Sequence, residues 1–118
     1  MTVVDITHDT SETETLLNEW GKWARMGLGL NIGSGDSDNV YFINDDMALL
    51  MDRLVAELKR DRALLANVII MYYRQDYNYP MIANALKIGE TKARSIHKSA
   101  ICWVDGALTG FTLDVNIA

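Results

Sequence analysis

Between residues 87 and 98 the sequence KIGETKARSIHK sets short polar and cationic groups at helical spacing. Glu90, Thr91, Lys92, Arg94, Ser95 and Lys98 form the outward face of a helix. Lysine and arginine reach phosphates, and arginine, serine and threonine also reach base edges in a major groove. Lys87 stands just before this face, and from Lys87 to Lys98 there are four cations and one carboxylate. That chemistry suits contact with double-stranded DNA. The bland alternative is a solvated helix face, because lysines on surface helices are common.

The apolar residues around this stretch predict how it is held. Ile82, Ala83 and Leu86 make a narrow stripe on a short helix. After Ile88, the residues Ala93, Ile96, Ala100, Ile101 and Val104 recur at helical spacing and bury the inner face of a second helix. Ala83 falls where the two would cross, and a small side chain there permits close approach. Pro80 lies near the start of the short helix, where its missing N–H costs least. Gly89 suits a helix start or a strained turn angle. Glu90 then falls in the first turn of the second helix, where a carboxylate favours the positive dipole end. This is the pattern of a helix-turn-helix whose second helix enters a major groove.

A chain of 118 residues with 49% apolar content suits one domain with a real core. Proline occurs once and helical periodicity dominates, so the fold class expected is all-α, a small helical bundle with a C-terminal helix-turn-helix. Residues 1–10 read as an irregular arm and 11–26 as a first helix, opened by Ser11 and Glu14 at capping-box spacing. Trp20 and Trp23 share its apolar face, either as core or as an exposed pair that anchors a partner. Residues 27–44 read as a glycine-rich loop. It lacks the Lys-Ser/Thr of a phosphate-binding loop, and Asp36 and Asp38 lack the downstream spacing of a calcium loop.

Central helices are expected over 45–74. Asn44 caps the first of them, and Leu50, Leu54 and Leu58 form its buried stripe. A second helix spans about 62–74, and Gln75 to Asn78 interrupt it. Tyr72, Tyr73, Tyr77 and Tyr79 cluster at that break. They pack the joint between helices or, near cations, stack on bases of single-stranded nucleic acid; Tyr77 is the one expected to be exposed. The helix-turn-helix covers 79–108. Gly110 ends the last helix, and the alternation of Phe111, Leu113, Val115 and Ile117 makes 109–118 an extended tail.

No catalytic constellation assembles. His8 lies in the arm, and no HExxH, GxSxG, Walker-type loop or paired-cysteine zinc signature is present. His97 reads as a boundary histidine packed against the preceding helices, with phosphate binding in its charged form as the alternative. No enzyme activity, metal or cofactor is assigned. Cys102 is the sole cysteine and reads as a small core or boundary residue. No apolar run reaches membrane-spanning length, and the N-terminal stretch is acidic, so a reducing cytoplasm is expected and no membrane partner. Net charge is −5, unevenly spread. Residues 1–78 hold 7 cations against 13 carboxylates, whereas residues 79–118 hold 4 against 3. Few phosphates can be neutralised, which implies modest DNA affinity supplemented by a protein partner.

The segment VIIMYY through AICWVDGAL resembles region 4 of bacterial sigma factors in its arrangement of apolar and small residues. With LNEWGKWARMGLGL at 17–30 and DDMALLMDRLVAELKR at 45–60, most residues from 16 to 108 resemble the phage antitermination Q proteins of the lambdoid late-gene type. Two positions depart from the helix-turn-helix pattern. Lys87 stands where many such units carry glycine, and Ala93 is smaller than the usual valine or isoleucine. The resemblance implies a late-gene antiterminator in the host bacterial cytoplasm. It would bind DNA near a late promoter, engage host RNA polymerase, with the sigma factor as a further candidate partner, and travel with the polymerase past pauses and terminators. Two other readings fit the residues: a polymerase- or sigma-binding module that does not read DNA, and a static helix-turn-helix regulator.

Overall fold

The computed structural model describes residues 9–27 and 43–117. The fold is all-α: α1 Ser11–Gly27, α2 Asp45–Asp61, α3 Ala63–Ile69 continued by a π-helical turn Ile70–Arg74, α4 Tyr79–Leu86 and α5 Glu90–Ile117. Most of the arm with His8, and the glycine-rich loop with Asp36 and Asp38, lie outside the described residues.

Local chemistry accounts for the helix starts. Asn44 Oδ1 accepts the Met47 N–H at 2.8 Å, with Asp45 and Asp46 in the first turn of α2 and Lys59 and Arg60 in its last. At α1 the cap lies ahead of the expected Ser11–Glu14 pair. Asp9 accepts both the N–H and the hydroxyl of Ser11, and Thr10 donates to Glu14 at 3.0 Å. In α4 Pro80 sits in the first turn, and Asn78 Oδ1 accepts the Met81 N–H at 2.9 Å.

One core joins Leu17 and Trp20 of α1, Met51, Leu54, Val55 and Leu58 of α2, Ala66 and Ile69 of α3, and Ala100, Ile101 and Val104 of α5. The buried face of α2 is centred on Ala48, Met51, Val55 and Leu58, while Leu50 is half-buried at its edge. Of the expected leucine stripe Leu54 and Leu58 are buried, and Ala48, Met51 and Val55 turn the buried face away from Leu50. A smaller cluster of Val68, Ile82, Ala93 and Ile96 locks α3, α4 and α5 together. Trp20 is core and cannot anchor a partner. Trp23 is half-buried and donates its indole N–H to Asp45 at 3.0 Å.

The C-terminal expectation fails. Gly110 does not end the last helix, and residues 109–117 are helical rather than extended. A glycine costs about 1 kcal/mol in a helix interior. That does not stop a helix already nucleated, which gains a hydrogen bond with each residue added. Residues 111–118 contain no proline to stop it. Among the described residues no helix is long and apolar enough to cross a membrane.

Gly21 sets the distance between α1 and the π-helical turn. A β-carbon built there would fall on the Tyr73 carbonyl oxygen. One turn later Arg25 Nη1 donates to the carbonyls of Tyr73 at 2.8 Å and Arg74 at 3.3 Å, capping the end of that turn. Gly21→Ala should therefore destabilise the protein by about 2–3 kcal/mol, since backbone must shift. Gly106→Ala on α5, whose added carbon meets nothing, should stabilise it by about 0.5–1 kcal/mol. Urea unfolding of the two variants checks the opposite signs.

Candidate nucleic-acid interface

α4 and α5 are joined by three residues, 87–89, and the turn depends on Lys87. It adopts the left-handed conformation, φ 60 and ψ 46, and its N–H and that of Ile88 both turn back to the Ala83 carbonyl. The strained angle thus belongs to Lys87, the position where glycine is common in helix-turn-helix units. Gly89 instead starts α5, its carbonyl accepting the Ala93 N–H at 3.0 Å. Ala83 is buried, and Ile82 beside it is the α4 residue of the cluster shared with α3 and α5.

All seven expected contact residues, Lys87, Glu90, Thr91, Lys92, Arg94, Ser95 and Lys98, are exposed. The opposite side of α5 is sealed by Ala93, Ile96, His97, Ala100, Ile101 and Val104. At about 100° per residue, Thr91, Ser95 and Lys98 form the centre of the outward face, and Lys92 and Arg94 lie on opposite flanks about 160° apart. A helix so arranged presents small polar groups at its crest and one cation to each side. The flanks differ. Arg94 lies 3.7 Å from Glu90, one turn earlier, and its guanidinium sits 4.6 Å above the Tyr79 ring. Lys92 is exposed on the other side. Cys102 also lies on the exposed side of α5, not in the core.

The support beneath this face is a cluster of rings. His97 is buried, with Nδ1 2.7 Å from the Tyr79 hydroxyl and Nε2 2.8 Å from the Tyr73 hydroxyl. A neutral imidazole has one donor and one acceptor nitrogen, so one tyrosine donates to it and the other accepts. The Tyr72 ring packs 4.3 Å from the imidazole, centroid to centroid. Tyr73 is buried, and Tyr72, Tyr77 and Tyr79 are half-buried, so none of the four is fully exposed. The tyrosines pack the joint between helices. His97 is committed to that joint and is not open to a phosphate.

Two supporting residues were not foreseen. Tyr79 carries Arg94, and Asn78 caps the helix that carries Tyr79. The Asn78 cap was legible, as an asparagine two residues before a proline at a helix start. The Tyr79–Arg94 contact spans fifteen residues and has no local pattern. Among the described residues no group of three or more His, Cys, Asp and Glu side chains could hold a metal ion. Compared with known proteins, the chain matches no family model, no curated protein and no solved structure.

Burial pushes the His97 pKa below its ordinary 6.5, opposed by the Glu14 carboxylate. Burial, with Glu14 and Tyr72, pushes Tyr73 and Tyr79 above their ordinary 10.0. The unfolded chain therefore binds a proton at His97 that the folded chain resists, and stability falls as pH drops below about 6.5. Tyrosines held protonated in the fold lose their stabilising contribution as pH rises above about 10. His97→Gln should flatten the limb below about pH 6.5, as read from urea midpoints across pH.

Proposed function

We propose that this chain binds double-stranded DNA through α5 and acts as a late-gene transcription antiterminator of the phage Q kind. DNA binding would load it onto host RNA polymerase, which it would then accompany. The observation that carries the DNA-binding part is the division of α5. Its outward side holds Lys92, Arg94, Lys98 and small hydroxyls, all exposed, while its inward side is sealed against α3 and α4. The resemblance of most residues from 16 to 108 to the Q proteins supplies the antitermination part.

Thr91 and Ser95 at the crest would meet base edges, Lys92 on one flank would meet phosphates, and Arg94 on the other would meet a phosphate or a base edge. The rest of the chain is acidic, with residues 1–78 at net −6. This favours a protein partner for that surface, and it is also what supports the second reading, a polymerase- or sigma-binding module that does not read DNA.

Lys92→Ala and Arg94→Ala should each weaken duplex binding. A lysine on phosphate lowers affinity for all sequences and reduces the salt slope by about 1, whereas an arginine reading a base costs about 1–3 kcal/mol and relaxes preference. Unchanged binding by the folded double variant removes α5 from the interface.

Antitermination is tested by transcription with purified polymerase through an intrinsic terminator placed far downstream. The protein should raise the fraction of initiated transcripts that read through. A static regulator changes initiation and leaves that fraction alone. A module that does not read DNA acts without any dependence on promoter-proximal sequence.

A further inference from the structure

Beside α5, a cleft of about 380 Å³ opens among α1, the π-helical turn and the residues leading into α4. Lys22, Arg25, Tyr72, Asp76, Tyr77 and Tyr79 line it. We propose that it binds an unstacked nucleobase of a single-stranded nucleic acid, with the ring among the tyrosines and the adjoining phosphate on Lys22 and Arg25.

The volume falls in the range of small-ligand sites, roughly 300–1,000 Å³. Three half-buried tyrosines give it the aromatic lining on which any base stacks. Two cations and one carboxylate line it, within a half of the chain that is otherwise acidic. Neither cation is withdrawn from the cleft. Lys22 pairs with Glu19 at 3.4 Å, and its side chain is 38% exposed. Arg25 is exposed, and its Nη1 bonds to the Tyr73 and Arg74 carbonyls hold the guanidinium at the rim. The cleft also adjoins the α5 face, because Tyr79 lines the one and carries Arg94 of the other. A strand leaving a duplex on α5 enters the cleft past a single side chain. The inference rests on the DNA-binding reading of α5 only for that direction of approach.

The test is fluorescence anisotropy at low salt with labelled oligothymidylate and oligouridylate of about 12 nucleotides, beside a labelled random-sequence duplex. Wild-type protein should bind a single strand, and the tighter of the two probes identifies DNA or RNA as the source. Tyr77→Leu keeps an apolar side chain against the Val68 cluster and should weaken single-strand binding about tenfold, the loss of one stacked base. Lys22→Gln, a change on a partly exposed side chain, should weaken it as well. If Tyr77→Leu loses its helical circular dichroism, Lys22→Gln decides alone. Duplex affinity should stay within about twofold for both, and Lys92→Ala should do the reverse.

The proposal is overturned if wild-type protein binds neither single strand, or if the variants bind them unchanged. It is also overturned if Lys92→Ala weakens single-strand binding as much as Tyr77→Leu does, because the strand then lies on α5. Loss of single-strand binding on Tyr77→Leu and Lys22→Gln, without any duplex binding, supports the cleft and removes the DNA-reading role of α5.

Discussion

The position of α5 depends on one buried imidazole. His97 is hydrogen-bonded through both nitrogens, to Tyr79 of α4 and to Tyr73 of the π-helical turn. In a low-dielectric setting such bonds are stronger than in water, and leaving one unmade costs the full desolvation of the orphaned group. The ring therefore fixes three helical segments relative to one another. It adds to the apolar contact made by α4, a helix of 8 residues that brings two buried side chains to the joint. Tyr73 extends the tie, since its carbonyl takes the Arg25 guanidinium and closes over Gly21. From α1 to α5 the joint is a polar chain within an apolar shell.

Much of this was legible because it is local. The apolar spacing of residues 82–104, the cap at Asn44 and the outward set on α5 rest on helical periodicity and capping chemistry, which need only neighbours within a turn. The contacts that failed to show are long-range. Gly21 looks like an ordinary helix glycine until the Tyr73 carbonyl lies against it. The buried face of α2 is completed by Met51 and Val55 as well as by Leu54 and Leu58, and Leu50 is left at its edge. At the C-terminus, the alternation after Gly110 was outweighed by cooperative propagation of a helix already anchored by Ala100, Ile101 and Val104.

The left-handed turn is a compromise of another kind. A lysine there carries roughly 1–2 kcal/mol of backbone cost that glycine avoids. Lys87 also places a cation next to the start of α5, where Glu90 is the only carboxylate of the first turn. Charge is thus gained on the proposed contact face at a position where the backbone would favour glycine, and the clusters around Ile82 and Ala100 are large enough to hold it.

Arg94 and Lys92 carry the same formal charge on opposite flanks of α5, yet they differ in entropy. A free arginine or lysine has about 2 kcal/mol of rotamer freedom to lose when it is immobilised. Arg94 has lost part of this already, stacked on Tyr79 and paired with Glu90, whereas Lys92 is exposed. Association with an anion should therefore order Lys92 more than Arg94. One flank of the helix is preorganised and can set the docking angle; the other is pliant and can follow a surface whose charges shift. A helix built this way can keep its register on one side while tolerating variation on the other.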